Sequence, residues 1–212
     1  MFIDLLQDLH TSTKRNYFER MLNDKPRCME VASRYDHEYW DGERKYGYGG
    51  HIYDGRWKTV AQKIVDRYRL NSKSKVLDIG CGKGFLGYDI EQLTGCKVEG
   101  CDISDYALYY CLLEKKFKCD IGKDRLRDNY DLILCVNTLH NLQLPELKHA
   151  LQEIDKHSKK AYICMDSFRN MQELFNLQCW ALTCQQFHTR QEWEFLFKEW
   201  GYKGDYEFIY FE

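Results

Sequence analysis

Three glycines at alternate positions follow a short apolar run, Val76-Leu77-Asp78-Ile79-Gly80-Cys81-Gly82-Lys83-Gly84-Phe85-Leu86. A chain uses glycine where a tight turn takes unusual dihedrals or where a ligand approaches the backbone closely. The next apolar run ends on an acid, Asp102, 22 residues after Gly80. A carboxylate at that place can accept both hydroxyls of a ribose. A dinucleotide site of the form G-x-G-x-x-G would need Gly or Ala at position 85, where Phe85 stands, and no G-x-x-x-x-G-K-[ST] phosphate loop occurs. Strand, glycine loop, helix, strand and acid, in that order, point to a nucleotide-type ligand.

Two further stretches carry chemistry. Val136-Asn137-Thr138-Leu139-His140-Asn141 follows another apolar run, and ligands of open parallel sheets sit beyond the carboxyl ends of the strands. Asn137 is placed to touch the ligand. His140 can act as a base near neutral pH or as a hydrogen-bond donor, with Asn141 beside it. The other histidines considered (His10, His149, His157 and His188) suit surface or structural roles. Residues 39–57 read Y-W-D-G-E-R-K-Y-G-Y-G-G-H-I-Y-D-G-R-W, too rich in glycine and tyrosine for a plain loop and without strand alternation. Tyrosine faces suit an amine or a sulfonium once water is excluded. Tyr46, Tyr48, His51 and His140 are therefore expected around a reacting centre. Arg44, Lys45, Arg56 and the more distant Arg169 are expected to bind an anionic group, arginine being the better bidentate partner.

The elements that must position these residues are legible as periodicities. Lys75–Ile79, Lys97–Asp102, Asp131–Val136 and Ala161–Met165 are short apolar runs bounded by turn residues. Helical spacing fills the gaps over Phe85–Leu93, over Asp105–Phe117 after the N-cap Ser104, and over Pro145–His157. Thr189-x-x-Glu192 is a capping box for a helix that stops at Gly201. Tyr206–Phe211 is expected as a last strand, antiparallel and near one edge. Residues 2–36 are expected to be helical and outside the sheet. This alternation predicts a doubly wound α/β fold with a mostly parallel sheet of six or seven strands and helices on both faces. The chain divides into a helical and aromatic lid, 1–57, and a core, 58–212, forming one domain overall.

Lys+Arg number 31 and Asp+Glu 33, which argues against a broad electrostatic grip on nucleic acid or anionic membrane. No apolar run reaches the roughly 18 residues of a membrane span, and acids interrupt the first apolar residues, so no signal peptide is expected. A cytoplasmic protein, monomer or homodimer, is the expectation. None of the ten cysteines forms a C-x-x-C pair or a zinc-finger pattern. Reduced core thiols are expected, and no metal site.

With Asp78 two residues before the first glycine, the loop resembles motif I of the class I S-adenosylmethionine (SAM) methyltransferases. The resemblance implies that Gly80, Cys81, Gly82 and Gly84 shape the loop under the amino-acid half of SAM, with Asp78 supporting it. It further implies that Asp102 holds the ribose, that Ile103, Asp120 and Ile121 meet the adenine, that Asn137 touches the donor, and that S-adenosylhomocysteine is the product. The run W-D-G-x-R-K-Y-G-Y-G-G, then Y-D-G-R-W, V-L-D-I-G-C-G-K-G-F-L and N-T-L-H-N, looks like a subgroup of bacterial methyltransferases that accompany surface-polysaccharide synthesis, including the capsule enzymes of campylobacters. It covers about residues 30 to 212. That likeness implies a small acceptor, among them amines of the ethanolamine phosphate type. A hydroxyl on a nucleotide-linked sugar is an alternative acceptor, and a SAM-binding regulatory protein without catalysis is a second alternative. The N-P-P-Y-type motif used on flipped bases is missing, so a nucleic-acid acceptor is not expected.

Overall fold

The structure, a computed structural model, describes all 212 residues. Four short helices precede the core: α1 (Gln7–Thr11), α2 (Tyr17–Leu22), α3 (Lys25–Ala32) and α4 (His37–Trp40). The core then alternates α5 (Lys58–Tyr68), β1 (Lys75–Ile79), α6 (Phe85–Thr94), β2 (Lys97–Asp102), α7 (Asp105–Tyr109), β3 (Lys115–Lys118), β4 (Leu132–Val136), α8 (Leu144–His157), β5 (Ala161–Ser167), α9 (Met171–Trp180), α10 (Arg190–Trp200) and β6 (Asp205–Tyr210).

The six strands lie in the order β3-β2-β1-β4-β5-β6 and all run parallel. Because successive strand side chains point to opposite faces, each central strand feeds two cores. Val76, Leu132, Leu134, Tyr162 and Cys164 pack on one face with Ile64 of α5 and Ile90 of α6. Leu77, Ile133, Cys135, Ile163 and Met165 pack on the other with α8 and α10. Both helix capping signals are realised: Ser104 accepts from the Ala107 amide, and Thr189 and Glu192 form a reciprocal capping box. All ten cysteines are free thiols, nine of them buried. No helix is long and apolar enough to cross a membrane.

Three expectations require correction. The last strand is parallel, pairing Ile163 with Tyr206, because the crossover through α9 and α10 returns the chain to the starting end of the sheet. The helix expected over 105–117 stops at Tyr109. Beyond it Leu112 donates to the Lys83 carbonyl (3.0 Å), Leu113 is buried, and the chain enters β3. That strand reads Lys-Lys-Phe-Lys and is exposed throughout, a charged edge without an apolar pattern. The N-terminus also joins the sheet. Phe2 bridges Tyr206 in parallel, with the Ile3 amide to the Tyr206 carbonyl and the Tyr206 amide to the Met1 carbonyl, both 3.0 Å.

Candidate active site

The carboxyl ends of β1, β2, β4 and β5 meet beneath residues 35–57. Gly80 has φ 68°, and a Cβ there would collide with the Thr138 hydroxyl in the loop after β4. Only glycine lets these two loops touch. The Gly82 amide donates to Asp102 Oδ2 and the Ser104 amide to Oδ1, both 2.8 Å. Asp102 thereby ties the glycine loop to the end of β2. Burial raises its pKa, while the amides at Ser104 and Gly82 pull the other way. Asp78 lies deeper in β1, and burial, reinforced by Cys111 and Asp102, pushes its pKa up to about 8.

An aromatic stack covers the loop. Trp40 Nε1 donates to Ser104 Oγ (2.9 Å), and the Trp40 ring stacks on Tyr48 at 5.2 Å and 2°. Tyr48 meets His51 at 4.4 Å, and His51 stacks on Phe85 at 4.7 Å. Lys83 of the glycine loop reaches both carboxylate oxygens of Asp41 at 2.7 Å, and the Tyr106 hydroxyl donates to the same group (2.8 Å). Burial, with the charges of Lys83 and Arg56, lowers the His51 pKa to about 4, so the ring is neutral at physiological pH.

Two cavities adjoin this stack. The smaller, about 60 Å³, lies between the rings of Trp40, Tyr48 and His51 and the chain at Asp78, Gly80 and Gly82. It has room for a few waters, not for a nucleoside. The larger, about 410 Å³, shares Tyr48, His51, Trp57, Phe85 and Asn137 with it. Asn137, at φ 56°, sits where both meet, and its buried Oδ1 has no hydrogen-bond partner. Asp166, near the end of β5, presents a carboxylate to the larger cavity. Its amide donates to His140 Nδ1 (3.2 Å), and His140 Nε2 lies 3.5 Å from Asp166 Oδ2. With Nδ1 accepting, the neutral His140 ring carries its proton on Nε2. Burial raises the Asp166 pKa, opposed by His140 and Arg15.

A family model described as a methyltransferase domain matches residues 70–204. The chain belongs to that family. Its domain is of the class I SAM-dependent kind. Ubiquinone biosynthesis O-methyltransferase of Rickettsia bellii is 20% identical over 147 residues, which are 69% of this chain and 52% of that protein. Sterol 24-C-methyltransferase of Candida albicans is 26% identical over 99 residues, 41% of this chain and 26% of that protein. The chain thus spans about half the length of the first of these relatives and less of the second. Among solved structures, YcgJ from Bacillus matches with a TM-score of 0.52 at 15% identity, covering 66% of each chain. All of these are similar proteins, and the structure shares the fold of YcgJ.

Two hydrogen-bond acceptors that a nucleoside carrying an ammonium group can use adjoin the glycine loop. Asp102 offers a carboxylate beside the glycine loop, and the orphaned Asn137 Oδ1 offers an acceptor at the end of β4. A Cβ on Gly82 would stand 2.8 Å from the Trp40 ring, so that ring packs directly on the glycine loop.

Of the residues singled out in the sequence, Tyr48, His51, Asp78, Gly80, Cys81, Gly82 and Asn137 line the smaller cavity, and Arg44, Arg56, His140 and Asn141 the larger. Gly84 is the left-handed N-cap of α6. Asn141 accepts from the Thr183 hydroxyl (2.8 Å) and donates to the Asn137 carbonyl (3.3 Å). Tyr46 packs against Cys28, Ala32 and Leu182 and lines neither cavity. Lys45 pairs with Glu43, and Arg56 is held bidentately by Asp54. Arg169 is neutralised by Glu173 and Glu212 away from both cavities. Ile103 is exposed, Ile121 is buried in the core under β4, and Asp120 is occupied by the Gly122 amide and Lys123. Sequence reasoning missed Asp166, although an acid at the end of an apolar strand is the same signal as Asp102. Arg15, Arg20 and Trp180 carried no such signal.

Proposed function

We propose that this protein methylates the nitrogen of a small, polar, phosphorylated acceptor of the ethanolamine phosphate kind, in the synthesis of a surface polysaccharide. Asp166 is the observation that carries this reading: a buried carboxylate in a cavity walled by Tyr39, Tyr48 and His51 that shares Asn137 with the cavity at the glycine loop. When bound, SAM supplies an electrophilic methyl that an amine lone pair takes as the carbon–sulfur bond breaks and sulfur keeps the electron pair.

The chain's own residues do the rest. Asp166 attracts the acceptor as an ammonium and takes the proton that the nitrogen must lose, a role helped by burial, which raises its pKa. Asn137 Oδ1 accepts from the amine or from the donor's ammonium. Tyr48 and Tyr39 exclude water and present ring faces to the cation. Holding nitrogen and methyl about 3 Å apart can supply roughly 7–11 kcal/mol. A hydroxyl acceptor is less well served, because His140 Nδ1 is occupied by the Asp166 amide.

Incubation with SAM and ethanolamine phosphate, followed by mass spectrometry of the acceptor, should show the gain of one or more methyl groups. No gain in a protein that still binds SAM would remove this acceptor class.

A further inference from the structure

Part of the larger cavity's wall is built around one indole. Arg15, Arg20 and Arg44 lie 5.5, 4.8 and 5.0 Å from the Trp180 ring centroid, so three cations crowd within about a Debye length of each other. No carboxylate pairs with any of them, in contrast to Arg56 and Arg169. Their hydrogen bonds fix them in place without neutralising them. Arg20 donates to the carbonyls of Trp180, Arg44 and Gly47, and Arg44 to those of Gly47 and Tyr48. Arg15 donates to the carbonyls of His10 and Thr13 and to His10 Nδ1 (3.0 Å). His10 in turn is held by the Tyr210 carbonyl (2.8 Å), and Arg15 Nε is buried without a partner. Burial lowers the pKa of all three arginines, that of Arg20 to about 10. The whole chain is slightly acidic, so a knot of unpaired arginines is a local construction.

We propose that Arg15, Arg20 and Arg44 form the recognition site for a tetrahedral oxyanion, the phosphate monoester end of the acceptor. This rests on the reading above and deepens it: Asp166 takes the cationic end of the molecule and the arginines the dianionic end. A monoester offers three terminal oxygens and up to two charges, matching several guanidiniums better than a carboxylate does.

The test has two arms. The full chain is titrated with inorganic phosphate and, separately, acetate, by calorimetry. Saturable phosphate binding, tighter than acetate, is expected, weakening about 10- to 100-fold in Arg15→Gln and Arg44→Gln. Arg127→Gln, an exposed control, should bind as the parent does. The second arm compares methyl transfer to ethanolamine phosphate and to ethanolamine. The arginine variants should raise KM for the first by a similar factor and leave the second unchanged, whereas Arg44→Lys should recover part of the loss. Phosphate binding lost in the variants supports the site even if no amine is methylated. Absence of phosphate binding in the parent overturns it, as does acetate binding equal to phosphate. Methylation of ethanolamine phosphate with an unaltered KM in the variants overturns the site and leaves the amine reading intact. Equal losses on both acceptors show a structural role and also overturn it.

Discussion

At the scale of single residues, burial decides the charge of the site. Asp78 ionises near pH 8 because burial disfavours the carboxylate, far above its value in an unfolded chain. The folded state therefore holds a proton that the unfolded state releases between about pH 4 and pH 8, and stability falls as pH rises through that window. In the absence of ligand, thermal unfolding across that window should show this decline, and Asp78→Asn should flatten it. An unchanged slope in the variant would place the titration elsewhere. Asp102 behaves differently, since two amides hold its oxygens. Asp102→Asn should weaken SAM binding about 10- to 100-fold, as expected for losing charged hydrogen bonds worth about 1.5–3 kcal/mol, measured by calorimetry. Affinity equal to the parent would show that the ribose is held by another group. His140→Ala should lower kcat with little change in SAM affinity, because its ring braces Asp166 rather than the glycine loop.

Elements explain what was readable and what was not. The glycine loop with its two acids could be read because dihedral and ligand demands leave little choice of residue. β1, β2, β4 and β5 could be read because burial on both faces leaves apolar runs. β3 has no buried face, so its lysines carried no strand signal, and apolar residues from 108 to 117 imitated a helix although Cys111 and Leu113 pack beside Gly84. The segment over residues 39–57 was legible as a composition but not as a geometry. Its attachment to the loop runs through Asp41 and Lys83, two charges 42 positions apart with no shared periodicity. Breaking that pair with Asp41→Asn should speed both association and release of SAM in stopped-flow measurements. Rates equal to the parent would mean that the Asp41–Lys83 pair does not govern access to the glycine loop.

The whole molecule is closed by its first residues. Met1–Ile3 cap the free edge of β6, and Glu207, buried in that strand, accepts from the Leu5 amide (2.7 Å), the Leu6 amide (2.9 Å) and the Tyr162 hydroxyl (2.6 Å). The sequence offered no sign of this pairing, because its partners lie about 200 positions apart. Removing residues 1–6 would strip two donors from a buried carboxylate and expose a strand edge. The truncated protein should lose about 3–5 kcal/mol and associate more readily, read by denaturant unfolding and light scattering. Parent-like stability would show that Glu207 finds other partners. The charge layout of the larger cavity, three arginines and the Asp166 carboxylate in one lining, is the central claim at this scale. A crystal structure with S-adenosylhomocysteine and ethanolamine phosphate tests it most directly. The account predicts sulfur beside Asn137, nitrogen beside Asp166 and phosphate among Arg15, Arg20 and Arg44. A phosphate bound elsewhere, or an amine remote from Asp166, would contradict it.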